Sequence, residues 1–147
     1  MPLSTREIFA RLIKCEAEGE GDNGMKAVAS VIMNRVNVAY GEYLDVNQGD
    51  LRKVMFQPRQ FTCIMEMIGS QYNPQNIYNM RPDDRHYEIA DWALSGNILN
   101  GVDSSLWYYN PFVPICTTYF PPTGTGVIHN RIAQHCFYIP TSRYAQT

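Results

Sequence analysis

The sequence predicts an α+β fold in a single domain, residues 1–147, with a helix-rich N-terminal part and short strands and loops toward the C-terminus. Its 147 residues are enough to bury one hydrophobic core but not two. Up to about residue 100, apolar residues recur at helical spacing between capping and turn residues. From Ser104 onward, 44 residues contain no Asp or Glu but 9 of the 18 aromatic residues, a composition typical of short strands between proline turns.

Two helices are predicted at the start of the chain. Ser4 and Glu7 have the spacing of a capping box, and the first helix is predicted from Ser4 to about Glu18. Its apolar stripe consists of Ile8, Phe9, Leu12 and Ile13. Turn residues at 21–24 separate it from a second helix, predicted over about 25–39.

The later elements are predicted from the same capping, periodicity and turn signals. They are a short helix that begins at Asp50 and stops at Pro58, a segment at 60–67 that fits either helix or strand, a surface loop at 69–82, a helix from Asp83 to Gly96, and strands at Ser105–Tyr109 and His135–Ile139.

Composition and charge exclude several classes of protein. A hydrophobic content of 45% and a charged content of 18% are those of a globular chain and not of a disordered one. The net charge of −2 gives no electrostatic reason to expect nucleic acid or an anionic membrane as a partner. The apolar runs are too short and too interrupted to span a membrane, and the N-terminus does not resemble an ordinary signal peptide.

The four cysteines, Cys15, Cys63, Cys116 and Cys136, lie far apart in the sequence. Without a CxxC pair, a zinc ribbon or a thioredoxin-like site is not expected. An even number permits disulfides, but the absence of an export signal favours reduced thiols. We expect no metal site and no cofactor.

The most unusual feature is an acidic elbow, in which Glu16, Glu18 and Glu20 crowd the end of the first helix. A carboxyl group there faces the negative end of the helix dipole and like-charged neighbours, and both effects raise its pKa. A raised pKa is what a general acid in glycoside cleavage requires. Glu16 is the best candidate because it lies near the core-facing stripe, whereas Glu18 and Glu20 are expected in solvent. The alternative is an ordinary solvated acidic turn.

Other arrangements fit less well. An EF-hand loop that starts at Glu18 would need a carboxylate where Ala29 stands. Cys15 and His135 could form a nucleophile and its base, but a thiol at a helix C-terminus beside glutamates has a raised pKa and reacts poorly. The histidines lack the spacing of a metal site. His86 is expected on the surface of its helix, and His135 either lines a cleft or lies in the core.

The aromatic C-terminal third suits sugar binding, because pyranose faces stack on aromatic rings and amide groups supply neutral hydrogen bonds. The alternative is that many of these aromatic residues simply form the core. The candidate substrate-binding residues are Trp107, Tyr109 and Asn110, the upstream residues Gln57, Gln60 and Phe61, and His135.

Six ordered segments resemble one known family. They read EAEGEGDNGM at 16–25, VIMNRV at 31–36, FQPRQF at 56–61, ALSG at 93–96, LWYYNP at 106–111 and HCFY at 135–138. Together they resemble the SleB/CwlJ group of spore cortex-lytic cell-wall hydrolases, and the first and last segments are more similar to the CwlJ branch. Residues 112–134 depart most from the family pattern.

The resemblance implies a lysozyme-like α+β fold of the lytic-transglycosylase kind, with Glu16 as the catalytic acid. The implied substrate is spore-cortex peptidoglycan containing muramic-δ-lactam, cleaved during germination. The implied location is the boundary of spore coat and cortex, reached from the mother cell without a signal peptide. The family also implies a spore-coat protein partner and a response to calcium dipicolinate.

A single usable carboxylate favours a lytic transglycosylase, because the paired mechanisms of glycosidases need a second one about 5–9.5 Å away. Ordinary hydrolysis by a muramidase or glucosaminidase is the nearest alternative. The others are a non-catalytic coat or peptidoglycan-binding protein, and an amidase or endopeptidase that uses Cys15 and His135.

Overall fold

The computed structural model describes residues 2–147, and its helices precede its main sheet along the chain, in the order that the sequence predicts. The helices are α1 (Thr5–Ala17), α2 (Gly21–Asn37), α3 (Gly41–Asn47), α4 (Leu51–Phe56) and α5 (Asp84–Leu94). The strands are β1 (Met67–Ile68), β2 (Gln71–Tyr72), β3 (Trp107–Tyr109), β4 (Gly126–Ile132) and β5 (His135–Pro140). Short 3-10 turns occupy Glu18–Glu20, Thr62–Ile64, Ile77–Asn79 and Tyr144–Gln146.

The two N-terminal helices form the base of the fold. The Ser4 hydroxyl accepts a hydrogen bond from the Glu7 N–H at 3.1 Å and caps α1, as predicted. The apolar stripe of α1 is buried, and this helix packs against α2 and α5. α2 begins at Gly21, earlier than predicted, because the glycine-rich segment forms its first turn instead of a free loop.

α5 begins and ends close to the predicted residues, but one prediction about it is wrong. The Asp83 side chain accepts from the Arg85 and His86 N–H groups, and His86 Nδ1 accepts from the Asp83 N–H at 3.0 Å. This capping box folds the imidazole against the helix start, so that only 2% of His86 is exposed. His86 is therefore a buried capping residue and not a surface residue.

The main sheet is antiparallel, with the strand order β3-β5-β4. β3 and β5 lie within or close to the predicted strands, whereas β4 was not predicted. A register shift between Ile128 and Asn130 interrupts the alternation that would reveal β4 as a strand. α3 and the small β1–β2 hairpin were also missed, and the hairpin extends into the predicted loop at 69–82.

Three clusters of buried side chains hold the molecule together. The largest lies between α1, α2, α4 and α5, and the second surrounds Trp107, Tyr138 and Tyr144 beside the sheet. The third packs α2 against Val102 and Phe137. In the part of the chain that the structure describes, no helix is long and apolar enough to cross a membrane.

The four cysteines form two disulfides, so the prediction of reduced thiols is wrong. Cys15 on α1 is bonded to Cys63, and Cys116 is bonded to Cys136 on β5. Their Cα atoms lie 6.4 Å and 5.9 Å apart. The fold brings together partners that are 48 and 20 residues apart, which the spacing of the cysteines alone does not reveal.

Candidate active site

Glu16 lies in the last turn of α1, where the helix ends and the acidic elbow begins. Its side chain is half-buried, and one carboxylate oxygen, Oε1, accepts a hydrogen bond of 2.7 Å from the Tyr108 hydroxyl. The apolar stripe of α1 anchors the helix in the core, so the position of this carboxyl is set by the packing of the whole helical layer.

The environment of Glu16 acts on its pKa in opposing directions. Burial has the largest effect and raises the pKa, because a charged carboxylate is poorly solvated there. The Tyr108 hydrogen bond and the positive charge of Arg35 lower it, but the net result is a raised pKa. This agrees with the acid–base behaviour that the sequence predicts, and burial is the main cause.

Tyr108 is suited to act as a permanent donor to Glu16. Burial and the nearby Glu16 charge raise the pKa of its hydroxyl well above the ordinary value. The hydroxyl therefore keeps its proton across the physiological range and can donate to the carboxylate throughout. The sequence analysis selected both neighbours of Tyr108 in the strand as substrate-binding residues, but it gave Tyr108 itself no role beside Glu16.

Arg35 on α2 supplies the positive charge in this region. Its guanidinium donates to the Leu106 carbonyl at 2.7 Å and to Gln60 Oε1 at 3.2 Å, and it lies over the rings of Tyr43 and Phe61. All of these partners are neutral, and the positive charge of Arg35 acts on the Glu16 carboxyl by lowering its pKa.

Glu16 lines an open cavity of about 810 Å³, between the end of α1 and the loops beside the sheet. This volume lies within the usual range for a small-molecule site. Polar side chains dominate the wall, and two of them, Asn110 and His135, are predicted substrate-binding residues. The wall also contains Glu18, Glu20, Asn79, Phe112 and Gln134.

Glu20 turns into this cavity, which contradicts the expectation that it faces solvent. Only 11% of its side chain is exposed, and its Oε1 lies 2.9 Å from His135 Nδ1. Its other oxygen accepts the Gln134 N–H at 3.2 Å. Burial lowers the pKa of His135 and the Glu20 charge raises it, with burial the larger effect. The site therefore contains a second carboxylate beside an imidazole.

A second cavity of about 460 Å³ is lined by the ring of Tyr108, together with Arg35. It contains two further predicted binding residues, Gln60 and Trp107. Tyr108 lines this second cavity, and its hydroxyl contacts Glu16, which lines the first cavity. The Glu16–Tyr108 pair therefore lies between the two cavities.

The remaining predicted binding residues line neither cavity. Gln57 accepts a hydrogen bond of 2.8 Å from the Asn47 side chain. Phe61 is buried against Arg35. Tyr109 stacks on Phe120 with ring centroids 4.4 Å apart and bonds through its hydroxyl to Thr117.

One group of potential metal ligands adjoins the site. A carboxylate oxygen of Glu16 and the sulfurs of Cys15 and Cys63 lie within 4.8 Å of one another. The two sulfurs are bonded to each other and are not thiolates, so this group does not offer the donor set of a metal centre. For the same reason Cys15 cannot be the nucleophile of an amidase or endopeptidase.

Comparison with known proteins decides the family. A family model described as Cell Wall Hydrolase matches residues 19–138, most of the chain. The chain belongs to the Cell Wall Hydrolase family. It is accordingly an enzyme of cell-wall degradation, as the sequence predicted.

Individual relatives agree with this membership. The chain is 28% identical over 136 residues to the cell wall hydrolase CwlJ of Halalkalibacterium halodurans, covering 92% of this chain and 85% of that protein. It is 33% identical over 110 residues to a spore cortex-lytic enzyme of Oceanobacillus iheyensis, covering 71% of this chain and 32% of that longer protein.

The fold of this cell-wall hydrolase is also that of a solved relative. The catalytic domain of the germination-specific lytic transglycosylase SleB from Bacillus anthracis superimposes with a TM-score of 0.65 at 25% identity. The match covers 94% of this chain and 96% of that domain. The predicted lysozyme-like α+β fold is thereby confirmed.

Proposed function

We propose that this cell-wall hydrolase cleaves the glycan strands of spore-cortex peptidoglycan as a lytic transglycosylase, with Glu16 as general acid and then base. The observation that carries the proposal is a half-buried carboxyl with a raised pKa at the wall of an open, polar cavity. The family match begins at residue 19, so the role of Glu16 is argued from this geometry.

In the first step, protonated Glu16 gives its proton to the glycosidic oxygen. The bond between that oxygen and C1 of the muramoyl residue breaks, and positive charge develops at C1 and the ring oxygen. The burial that raises the pKa of Glu16 keeps a larger share of this carboxyl protonated near neutral pH, which the step requires.

In the second step, the Glu16 carboxylate accepts the proton of the muramoyl 6-hydroxyl. The O6 atom then bonds to C1 and gives a 1,6-anhydro product, so no water is consumed and Glu16 is protonated again. The Tyr108 hydroxyl and the Arg35 charge stabilise the carboxylate between the two steps, because both lower its pKa relative to burial alone.

We propose that the substrate lies along both cavities and crosses the Glu16–Tyr108 pair. Asn110 and His135 would contact sugar on one side, and Gln60 and Trp107 on the other. Three other predicted residues would act indirectly. Gln57, Phe61 and Tyr109 are held in contacts that support the cavity walls.

The biological setting follows from the names of the relatives. A spore cortex-lytic enzyme and a germination-specific lytic transglycosylase are both similar to this chain. We propose that residues 1–147 act as one catalytic domain on cortex peptidoglycan during germination, at the boundary of coat and cortex. A spore-coat protein partner and muramic-δ-lactam recognition are proposed on the family resemblance.

Replacing Glu16 by Gln tests the proposal. The amide has nearly the same shape and can still accept the Tyr108 hydrogen bond, but it cannot transfer a proton. We expect release of cortex fragments to fall by about 10²- to 10⁴-fold, the usual contribution of a general acid. Glu66→Gln, an exposed glutamate outside both cavities, is the matched control. Comparable release by Glu16→Gln and Glu66→Gln would refute the proposed role.

One observation favours hydrolysis as a second candidate function. Glu20 lines the same cavity as Glu16, so a second carboxylate is available to activate a water molecule, as in the paired mechanism of glycosidases. Hydrolysis leaves a reducing muramic end, whereas transglycosylation leaves an anhydro end. Detection of reducing muramic ends among the products would favour this alternative.

A further inference from the structure

Phe112 is an exposed aromatic residue at the rim of the Glu16 cavity. Its exposed fraction, 86%, exceeds that of every other large apolar side chain that the structure describes. An aromatic ring is rarely left so open to water, because its burial against another surface is favourable. Phe112 is also the one Phe, Tyr or Trp among the described residues that line this cavity.

The backbone around Phe112 is fixed in an unusual conformation. Its φ angle is +57°, in the left-handed region that a Phe seldom adopts. The Asn110 side chain accepts the Phe112 N–H at 2.8 Å and holds this turn. The direction of the Phe112 ring is therefore set by the backbone conformation, since the ring does not pack against the core.

The loop that carries Phe112 is tied to the sheet at two further points. One Arg131 nitrogen, on β4, donates to the carbonyls of Val113 and Pro114 at 2.8 Å each. The Cys116–Cys136 disulfide joins the loop to β5, directly beside His135. An exposed ring on an anchored loop loses little conformational freedom when a ligand covers it.

The aromatic residues expected to stack on sugar do not line this cavity. Trp107 lines the second cavity, and Tyr109 is already stacked on Phe120. The remaining wall is mostly polar, with three carboxylates and several amides that suit sugar hydroxyl and acetamido groups. What a pyranose additionally needs is a flat apolar surface for its C–H face, and among the described residues that line this cavity Phe112 is the one Phe, Tyr or Trp that offers it.

Building on the proposed function, we propose that Phe112 is a substrate-binding residue that stacks against the pyranose face of one sugar of the glycan strand. The contact is made in the ground state and the transition state alike, because apolar stacking on a C–H face acts on neither the charge nor the proton that moves in the reaction. Its loss should therefore raise KM and leave kcat nearly unchanged.

Binding to an uncleaved strand tests this proposal directly. The Glu16→Gln variant, alone and with Phe112→Ala, is titrated with peptide-free glycan strands prepared from spore cortex and, separately, with cortex strands that keep their stem peptides. We expect Phe112→Ala to weaken binding about tenfold, and Phe112→Trp to keep it within about twofold. Ile115→Ala is the matched control, because Ile115 lies in the same loop and is 79% exposed but does not line the cavity.

Each outcome has a distinct meaning. If Glu16→Gln binds the strands and Phe112→Ala binds equally well, the stacking role is wrong while the proposed function stands. If Phe112→Ala weakens binding only to peptide-bearing strands, the ring contacts the stem peptide and the proposal is overturned. If Glu16→Gln binds neither kind of strand, both the proposed function and this inference fail. An unchanged melting temperature of Phe112→Ala shows that the loss is not due to unfolding.

Discussion

The pKa of Glu16 is set by burial and by two neighbouring groups, Tyr108 and Arg35, whose effects are opposite to that of burial. Burial favours the protonated acid that must donate to the glycosidic oxygen, while Tyr108 and Arg35 favour the carboxylate that must accept the next proton. A group that acts first as acid and then as base needs a pKa between these extremes. We infer that the Tyr108 hydroxyl limits how far burial raises the pKa.

Replacing Tyr108 by Phe should move the pH dependence of activity. The hydrogen bond stabilises the Glu16 carboxylate, so its loss raises the pKa of Glu16 further. Activity declines as pH rises and Glu16 loses its proton, so the declining limb of the kcat/KM profile should shift to higher pH. Tyr109→Phe removes a hydroxyl that bonds to Thr117 on the other face of β3, and should leave that limb in place. A limb that does not move in Tyr108→Phe would contradict the role given to this hydrogen bond.

Glu16 could be selected from the sequence because the signals that mark it are local: the helix end, the adjacent acids and the apolar stripe are all read from a few residues. Tyr108 could not be selected in this way. Its contact with Glu16 spans 92 positions, and which face of β3 points to the helix depends on the register with β5. The Glu20 side chain was predicted to face solvent, and this was wrong because its direction depends on how the elbow packs against α2.

At the level of elements, the elbow between α1 and α2 determines which acids enter the cavity. A 3-10 turn at Glu18–Glu20 follows α1, and α2 begins directly after it. A Cβ atom at Gly24 would overlap the Cβ of Glu20, so only a glycine leaves space for the Glu20 side chain over the first turn of α2. This close approach positions Glu20 beside His135.

Gly24→Ala should therefore destabilise the elbow, because the added methyl group displaces Glu20. We expect a loss of about 1–3 kcal/mol in the free energy of unfolding, the usual cost of overpacking, measured by urea denaturation. Gly19→Ala is the matched control: its Cβ would meet no atom within 4 Å, and its effect should stay within about 0.5 kcal/mol. Equal stability of the two variants would show that Gly24 is not needed for this packing.

Elements with complete local signals were predicted well. α1 and α5 have an N-cap residue, an apolar stripe and an end signal within one segment, and both were found to within a few residues. α3 buries only Tyr43 and Asn47 and has no side-chain cap, so its seven residues carry little periodicity. The register of β4 with β5 is irregular, so β4 is recognised from this pairing and not from a pattern in its sequence.

At the level of the whole molecule, the two disulfides join parts that the chain places far apart. Cys15–Cys63 ties the end of α1, next to Glu16, to the turn at Thr62–Ile64. Cys116–Cys136 ties the Phe112 loop to β5. Both disulfides therefore fix segments that contribute lining residues to the Glu16 cavity.

Reduction should weaken the fold. Loop closure over 48 and 20 residues predicts losses of about 4 and about 3 kcal/mol in the free energy of unfolding for the two bonds. Peptide mapping without reductant should recover the Cys15–Cys63 and Cys116–Cys136 pairs, and dithiothreitol should lower the melting temperature. Four free thiols in the untreated protein, or an unchanged melting temperature after complete reduction, would contradict this pairing.

The most direct test of the proposed reaction is mass spectrometry of the muropeptides that the protein releases from purified spore cortex. For one-carboxylate transglycosylation we predict 1,6-anhydro-muramoyl ends from the wild type and from Glu20→Gln, and release lowered by about 10²- to 10⁴-fold in Glu16→Gln. Reducing muramic ends from the wild type, lost in Glu20→Gln, would contradict that reaction and identify two-carboxylate hydrolysis instead.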